Sequence, residues 1–196
     1  MVPQVVSLHI AAQAAAPMQS LAAVSAVAGR GLDGDRYFHQ TGTYSNHPGS
    51  GRAVTLIEIE AIEALAREYD VLIAPGLARR NIVTRDLALN HLVGKTFAAG
   101  AVVLRGMRLC EPCLHLEKLS AKGAARGLIH RGGLRAEIVS GGVIRVGEAI
   151  IVIDVVATSI CHVNGKAKMS GRFVGSSLQG RNRTVAEPLL LSWRSV

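Results

Sequence analysis

Two cysteines three positions apart, Cys110 and Cys113, are the residues of this 196-residue chain best suited to chemistry. A glutamate and a proline, Glu111 and Pro112, separate them. Two thiols at this spacing can chelate one metal ion, exchange a disulfide, or present one reactive thiolate beside a second thiol. Each of these functions makes different demands on the rest of the chain.

The rest of the sequence supports these possible roles of the cysteine pair to different extents. A structural zinc site needs four ligands, and the only other soft pair in the sequence is Cys161-His162. A thioredoxin-like exchange motif needs a strand and a long helix within a βαβ unit, a pattern that this chain lacks. Free cysteines are also often small buried hydrophobes, although the polar, turn-forming Glu111-Pro112 fits a buried strand poorly. These alternatives stay open at this point.

A glycine-rich segment at residues 29–34 has the spacing G-x-G-x-x-G. A dinucleotide site of this kind needs a helix that opens at the third glycine and holds the pyrophosphate. Here the chain continues for about fifteen residues with turn-forming side chains and no apolar period. We therefore interpret the segment as a turn that places Asp35 and Arg36 at the mouth of a pocket.

Further cationic and polar residues lie beside glycines in separate motifs. They are Arg36, Arg80, Asn81, His130, Arg131 and Arg135. Any one of them could belong to an ordinary solvated surface. Their clustering favours a pocket for an anion, because guanidinium groups bind phosphate and carboxylate through paired hydrogen bonds.

The elements that would position these residues are mainly strands. Short segments rich in β-branched residues and bounded by Gly, Pro or Asn predict strands at 5–10, 22–27, 53–57, 81–84, 101–109, 136–139, 144–146 and 149–155. This spacing is typical of a β-barrel. Gly106 indicates a bulge, and Gly147-Glu148 predicts a tight hairpin turn between the last two strands.

One or two peripheral helices complete the predicted fold. Thr55 and Glu58 have the spacing of a capping box, and apolar residues follow at helical period to Tyr69. A looser helical stretch runs from about Leu114 to Leu128 and places Cys113 at a helix start. We therefore predict Cys113 to be the more reactive thiol.

Composition limits the function classes. A hydrophobic content of 49% predicts a globular core, and three cysteines do not form a disulfide framework, so we expect a reducing, cytoplasmic location. We expect no membrane association, because Met1 to Gly29 lacks a basic signal region and no apolar run is long enough to span a bilayer. We expect no nucleic-acid partner either, because no basic stripe with a recognisable module appears.

The charge divides the chain into two predicted regions. Residues 157–196 contain six Lys or Arg and one Glu, a net +5 of the formal +8. We predict a β-barrel domain at 1–156 and a basic C-terminal extension at 157–196, either disordered or partner-binding.

Five segments, taken in order, resemble the MOSC family, a domain found at the C-terminus of molybdenum cofactor sulfurases and in free-standing bacterial proteins. The segments are Gly31–Tyr37, Ala78–Thr84, Glu111–Cys113, His130–Ala136 and Gly141–Glu148. The resemblance runs from about Val5 to about Ile153. It implies a mainly β, MOSC-like barrel that binds molybdenum cofactor (molybdopterin).

The resemblance also implies roles for single residues. Cys113 aligns with the cysteine that binds the molybdenum or carries its sulfur. Cys110, the second candidate catalytic thiol, occupies a place where only some members of the family have a cysteine. Cofactor-binding residues would be Asp35, Arg36, Arg80, Asn81, His130, Arg131 and Arg135. The implied activity is sulfur transfer to the cofactor or reduction of N-hydroxylated compounds, with separate redox or sulfur-donor proteins as partners. The alternative is a non-catalytic carrier or sensor of a small anion whose cysteines are structural.

Overall fold

The structure, a computed structural model, describes residues 2–47 and 49–153. Within these residues the chain forms eleven β-strands, three short α-helices and two 3₁₀ helices. The strands are β1 (Gln4–Ile10), β2 (Gln19–Leu21), β3 (Ala23–Val27), β4 (Gly31–Leu32), β5 (Val54–Glu58), β6 (Ile82–Arg85), β7 (Thr96–Ala99), β8 (Val102–Leu109), β9 (Leu134–Ser140), β10 (Gly142–Arg145) and β11 (Ile150–Ile153). The helices are α1 (Ile59–Tyr69), α2 (Leu114–Leu119) and α3 (Ala124–Gly127), with 3₁₀ turns at Pro75–Ala78 and Leu89–Leu92.

The strands form two sheets. The larger has eight strands in the order β11-β7-β8-β9-β5-β6-β1-β2, and the smaller has three in the order β10-β3-β4. All neighbours are antiparallel except β5 and β6, which α1 connects as a parallel pair. A parallel pair needs such a crossover, because a tight turn can join only antiparallel strands. The predicted mainly β, MOSC-like fold is confirmed.

The eight-stranded sheet curves back on itself without closing into a complete barrel. The start of β1 meets the chain just before β11 through three backbone hydrogen bonds. Val5 N donates to Glu148 O at 2.9 Å, Gly147 N to Val5 O at 2.8 Å, and Ile150 N to Pro3 O at 2.7 Å. β2 therefore extends past this seam as an edge strand.

The two faces of the sheet bury different hydrophobic clusters, since side chains alternate along a strand. Leu56 and Ile82 point to one face and join a core that includes Phe97 and residues of both sheets. The adjacent Ile57 and Val83 point to the other face, where residues of all three helices cover them. The helices therefore lie on the outside of the sheet, as the prediction of peripheral helices required.

Helix boundaries differ from the prediction in two respects. The expected capping box does not form, because Thr55 lies within β5 and its hydroxyl donates to Asn81 Oδ1 at 2.9 Å. Glu58 is the N-cap residue of α1 without a side-chain cap hydrogen bond. The looser stretch predicted as one helix is two helices, since the chain breaks at Ser120 and Gly123. The described residues thus contain three α-helices, whereas one or two were predicted.

Two glycines predicted to shape the strands do so in different ways. At Gly106 the β8–β9 register shifts as predicted, and an added Cβ would lie 2.1 Å from the carbonyl oxygen of Leu92. Gly147, with φ +87°, does turn the chain. The predicted hairpin is wrong, however, because β10 pairs with β3 whereas β11 pairs with β7. The turn therefore passes the chain from the smaller sheet to the larger one.

Three strands were not predicted: β2, β4 and β7. They have two to four residues each and carry too short a pattern to indicate a strand. Within the described residues, no helix has the length and hydrophobicity needed to cross a membrane. The predicted C-terminal extension at 157–196 lies outside the described residues, so the proposed division of the chain stays a prediction.

Candidate functional site

A cleft of about 80 Å³ collects most of the residues singled out in the sequence. The loop after β4, the end of the first 3₁₀ helix, the loop after β8 and the start of β9 form its walls. It is lined by Ala15, Arg36, Tyr37, Thr43, Tyr44, Thr55, Arg79, Arg80, Cys110, Glu111, Cys113, His115, Leu116 and Arg135.

The two cysteines occupy this cleft in different environments. Cys110 follows β8 and is only 2% exposed, whereas Cys113 is exposed at the N-cap of α2. Both are free thiols. The backbone fixes Cys110, since its N–H donates to Gly133 O at 2.7 Å and its carbonyl accepts from Arg80. Cys113 therefore has the solvent-accessible sulfur of the pair.

Polar and aromatic side chains surround Cys113. The hydroxyl of Tyr44 lies near Cys113, and both residues line the cleft. Desolvation of this hydroxyl raises the pKa of Tyr44, and the neighbouring Cys113 thiol raises it further, so Tyr44 remains a donor at neutral pH. The Tyr44 ring packs edge-on against His115 at 6.2 Å, and Thr43 Oγ1 lies 3.5 Å from His115 Nε2.

Asp35 is buried behind one wall of the cleft and fixes the groups of that wall through hydrogen bonds. It is 1% exposed, and its Oδ2 accepts from Ala11 N, Arg36 NH1 and Asn81 Nδ2, each at 3.2 Å. Its Oδ1 accepts from Tyr37 N at 3.0 Å. Hydrogen bonds to both oxygens leave this carboxylate little capacity to contact a ligand. Asp35 therefore holds the Arg36 guanidinium in place at the cleft.

Asn81 lies behind the same wall and joins three parts of the fold. Its side-chain oxygen accepts from Thr55 N and Thr55 Oγ1, while Nδ2 donates to His9 O at 3.1 Å and to Asp35. It does not line the cleft. Asp35 and Asn81 are thus buried supports, whereas Arg36 reaches the lining.

Arg80 supports the cysteine loop. Its Nε donates to Gly132 O at 2.8 Å, NH2 to Cys110 O at 3.1 Å and NH1 to Ala78 O at 3.2 Å. The carbonyl of Gly132 can be reached because Gly132 itself packs against the Cys110 carbonyl, where an added Cβ would lie at 2.5 Å. Arg80 therefore uses its guanidinium to fix the loop that carries both thiols.

Two other arginines of the cleft keep unused hydrogen-bonding capacity. Nε of Arg135 is buried and has no hydrogen-bond partner among the described residues. Arg79 donates to Ala16 O at 3.0 Å, and no described carboxylate forms a salt bridge with it. Burial lowers the pKa of Arg79, and the nearby Arg36 adds to this effect. These two guanidinium groups, with Arg36, give the cleft an anion-binding character.

Two residues predicted as cofactor ligands lie outside the cleft. The His130 backbone N–H and ring contact Glu111 at 3.0 and 3.4 Å, and most of the side chain is exposed. NH2 of Arg131 donates to Glu68 on α1 at 2.6 Å. The structure therefore brings together Cys110, Cys113, Arg36, Arg80 and Arg135, places Asp35 and Asn81 directly behind them, and directs His130 and Arg131 to surface carboxylates.

Sequence reasoning named five of the fourteen lining residues and missed the others, which include Tyr37, Thr43, Tyr44, Arg79 and His115. Arg79 lies inside the motif that named Arg80, and its left-handed φ of +56°, after the turn at Pro75-Gly76, directs the two neighbouring arginines differently. His115 lies two residues after Cys113 and could have been suspected from that spacing. Thr43 and Tyr44 come from an irregular loop, where no periodicity indicates which side chains turn inward.

Within the described residues, no group of three or more His, Cys, Asp and Glu side chains is arranged to hold a metal ion. The site is thus a single accessible thiol among guanidinium groups on a mainly β domain. That combination defines the class: a β domain with a cysteine-centred anion cleft.

The comparisons with known proteins identify the family. The MOSC domain model matches residues 43–151, more than half of the chain, so the protein belongs to the MOSC domain family. This family is generally associated with molybdenum cofactor. No curated protein matches the chain significantly.

Solved structures share the fold at low sequence identity. The YuaD protein of Bacillus subtilis superposes with a TM-score of 0.65 at 18% identity, over 78% of this chain and 96% of that one. YiiM of Geobacillus stearothermophilus gives a TM-score of 0.60 at 15% identity, covering 78% and 75% of the two chains. YiiM of Escherichia coli gives 0.55 at 16% identity, covering 76% and 69%. At such identities these likenesses concern the fold.

Proposed function

We propose that this MOSC-domain protein binds molybdenum cofactor in the cleft, with Cys113 as the ligand of the metal or the carrier of its sulfur. The observation that supports this most is the exposed Cys113 sulfur in a cleft lined by four guanidinium groups. A soft thiolate suits molybdenum, and guanidinium groups suit the anionic parts of a molybdopterin.

The hydrogen-bond donors of the cleft fit molybdenum cofactor. Arg135 Nε is buried without a partner, and Arg79 has no carboxylate counter-ion among the described residues, so both can accept an anionic ligand at little reorganisation cost. The enclosed space of about 80 Å³ is smaller than a pterin cofactor. It can hold the metal end, while the remainder would extend through the open mouth. When bound, the cofactor would supply a redox-active metal centre.

The protein residues then have distinct tasks. Cys113 provides the sulfur, and the nearby Tyr44 hydroxyl, whose pKa is raised, can donate a hydrogen bond to a thiolate there. Arg36 and Arg135 hold anionic groups, with Arg36 oriented by Asp35. Arg80 fixes the loop that carries the cysteines. Cys110, buried against the Arg80 clamp, lines the cleft as a secondary thiol.

Two activities follow from this arrangement. In one, the Cys113 thiol would exchange with the persulfide of a separate sulfur-donor protein, so that its S–H becomes S–SH and the donor leaves as a thiol. Handing the outer sulfur on to the cofactor would regenerate the Cys113 thiol, with two electrons from a separate reductant and the displaced oxygen leaving as water. In the other, an N-hydroxylated compound takes up two electrons and two protons and releases water as its N–O bond is replaced by N–H. The electrons would come from a separate redox partner.

The rival function is a carrier or sensor of a small anion with structural cysteines. The 2% exposure of Cys110 favours a structural role for that thiol. The exposure of Cys113 does not favour a structural role for its thiol. The two functions differ in whether Cys113 is needed for metal retention.

The test is the metal and pterin content of full-length protein produced in a host that synthesises the cofactor. We expect stoichiometric molybdenum and pterin in the unmodified protein, loss of both from Cys113→Ser, and reduced content in Arg135→Gln. Arg126→Gln, which changes an exposed arginine on α3, is the matched control. Retention of molybdenum by Cys113→Ser at the control level would contradict the thiolate assignment. Reduction of an aryl amidoxime with a chemical electron donor then distinguishes the reductase from a carrier.

A further inference from the structure

A second, larger pocket lies next to the cleft and, apart from the shared residues Ala15 and Arg79, plays no part in the function proposed above. It lies between the β1–β2 hairpin, the first 3₁₀ helix and the end of α2, and its volume of about 580 Å³ is within the range of small-molecule pockets, roughly 300–1,000 Å³. Its apolar wall is formed by Pro17, Met18, Pro75, Leu77 and Leu119. We call it the side pocket. Ala15 and Arg79 line both the side pocket and the cleft.

Arg79 supplies the positive charge of the side pocket. The other ionisable residue of the lining is His9, which is 4% exposed. Burial lowers the pKa of His9, so its imidazole is neutral at neutral pH. An apolar pocket with one cation at its end is matched by a molecule with an apolar body and a single negative charge.

The guanidinium of Arg79 lacks a fixed counter-ion in the described part of the chain. Its NH1 donates to Ala16 O, a neutral carbonyl, at 3.0 Å. The nearby carboxylate of Asp35 already accepts from Arg36, Ala11 and Asn81. A half-buried cation without an anion gains most from an incoming carboxylate, since the planar guanidinium can donate two parallel hydrogen bonds to it.

A pair of serines adds a second polar contact. His9 Nε2 lies 2.9 Å from Ser7 Oγ, and Nδ1 lies 3.2 Å from Ser20 Oγ. A neutral imidazole donates through one nitrogen and accepts through the other. The serine that accepts from the ring N–H keeps its own hydroxyl proton, which it can donate to a ligand. Both serines line the side pocket.

We propose that the side pocket binds an amphipathic carboxylate, with a medium-chain alkyl or aryl body against the apolar wall and the carboxylate on Arg79. This ligand is distinct from molybdenum cofactor, although Arg79 is available to both. The shared position of Arg79 places the carboxylate at the boundary between the side pocket and the cleft.

The experiment titrates octanoate into full-length protein labelled with methyl-¹³C methionine. Met18 lines the side pocket, whereas Met107 lies on β8 against Gly51, outside it. We expect the Met18 methyl resonance, identified with Met18→Leu, to shift on titration while the Met107 resonance does not. Octanamide, which has the same body without the charge, should bind roughly ten- to a hundredfold more weakly, and acetate should give no shift.

Variants locate the carboxylate. Arg79→Gln should weaken octanoate binding by roughly ten- to a hundredfold, whereas Arg126→Gln should leave it unchanged. Leu77→Glu, at a side chain that is 43% exposed and tolerates substitution, should abolish it by placing a like charge in the side pocket. Equal affinity of the two arginine variants, or of octanoate and octanamide, would overturn the proposal.

Cys113→Ser separates this inference from the cofactor proposal. It should leave octanoate binding intact even though it removes the proposed metal ligand. Loss of octanoate binding in Cys113→Ser would place the ligand in the cleft and overturn the assignment to the side pocket. If Cys113→Ser loses molybdenum but keeps octanoate binding, both proposals are supported. Metal content and octanoate binding are measured separately, so a negative result for one does not decide the other.

Discussion

The thiols of Cys110 and Cys113 differ in accessibility, and this difference predicts their reactivity. In a Cys161→Ser background, which removes the thiol outside the described residues, we expect the added Cys113→Ser change to eliminate the fast phase of iodoacetamide alkylation. The added Cys110→Ser change should keep it. The thiol of Cys110 should react at least roughly tenfold more slowly, because a buried group reacts only after local opening. A fast phase that survives Cys113→Ser and disappears with Cys110→Ser would reverse the assignment.

A second prediction concerns Asp35, whose buried carboxylate is held by four hydrogen bonds. Asp35→Ala leaves the Arg36 guanidinium without its partner and three other donors unpaired. We expect the free energy of unfolding to fall by about 3–5 kcal/mol, the usual cost of removing one partner of a buried ion pair. Urea denaturation measures this, with the exposed Asp33→Ala as a control that should change stability by less than about 0.5 kcal/mol. Similar losses in both variants would show that Asp35 is not the organising residue.

Residue types and spacing were enough to find five of the fourteen residues that line the candidate site. The spacing of the pair led to both cysteines, and the clustering of cationic residues near glycines led to Arg36, Arg80 and Arg135. The same reasoning could not separate lining residues from supports. Asp35 and Asn81 lie in the same motifs as Arg36 and Arg80, yet their side chains bind each other behind the cleft. Which side chain turns inward depends on long-range packing that a local pattern does not contain.

At the scale of single elements, the two ends of α1 have glutamates whose pKa values are shifted in opposite directions. Burial raises the pKa of Glu58 at the helix start, outweighing the hydrogen bond from Leu89 N. Hydrogen bonds from Arg131 and Arg67 lower the pKa of Glu68 near its end. Compared with the unfolded state, the native state therefore keeps the proton of Glu58 up to a higher pH. It takes up the proton of Glu68 only at a lower pH.

The two substitutions to glutamine should change the pH dependence of stability in opposite directions. The Glu58 contribution makes stability fall as the pH rises from about 4.5, so Glu58→Gln should stabilise the protein at neutral pH relative to pH 4. The Glu68 contribution is present above its unfolded pKa and is lost as the pH falls through its lowered folded pKa. Glu68→Gln should therefore destabilise the protein at neutral pH, and this effect should shrink as the pH falls through the lowered folded pKa. Urea midpoints from pH 3 to 8 measure both, and slopes of the same sign would contradict the assignment.

The start of β9 gives a prediction about backbone geometry. Gly133 has φ +104°, and an added Cβ would lie 1.9 Å from the Leu56 carbonyl oxygen on β5. Gly133→Ala must therefore displace backbone in the middle of the larger sheet, and we expect a loss of more than about 3 kcal/mol. Gly147→Ala is the matched control, because Gly147 also has positive φ but open space around it, so only about 1 kcal/mol of strain is expected. Equal losses in urea denaturation would show that the close approach to β5 is relieved without cost.

Strands with strong β-branched patterns were predicted within one or two residues, and α1 was predicted from its apolar period. Connections were less predictable. The turn at Gly147 is visible in the sequence, but whether the next strand folds back on β10 or crosses to β7 depends on partners far away in the chain. Thr55 shows the same limit, since its hydroxyl caps no helix and instead binds Asn81, 26 residues later.

At the scale of the whole molecule, the basic C-terminal region gives a prediction from sequence alone. The predicted barrel strands are complete by about residue 156, so a chain that ends there should remain soluble and unfold cooperatively in thermal melts followed by circular dichroism. The fragment should also elute earlier from a cation exchanger, because it lacks the net +5 of residues 157–196. Aggregation of the shortened chain would show instead that the apolar residues at 189–193 pack on the domain.

The seam of the larger sheet has a consequence for protein synthesis. Residues 3–5 form hydrogen bonds with residues 147–150, so the first strand and the last described strand meet across nearly the entire domain. While a ribosome is still translating the middle of the message, the seam edge of β1 has no partner strand. The three hydrogen bonds of the seam can therefore form only after about residue 150 has left the exit tunnel, so this edge of the sheet is paired last.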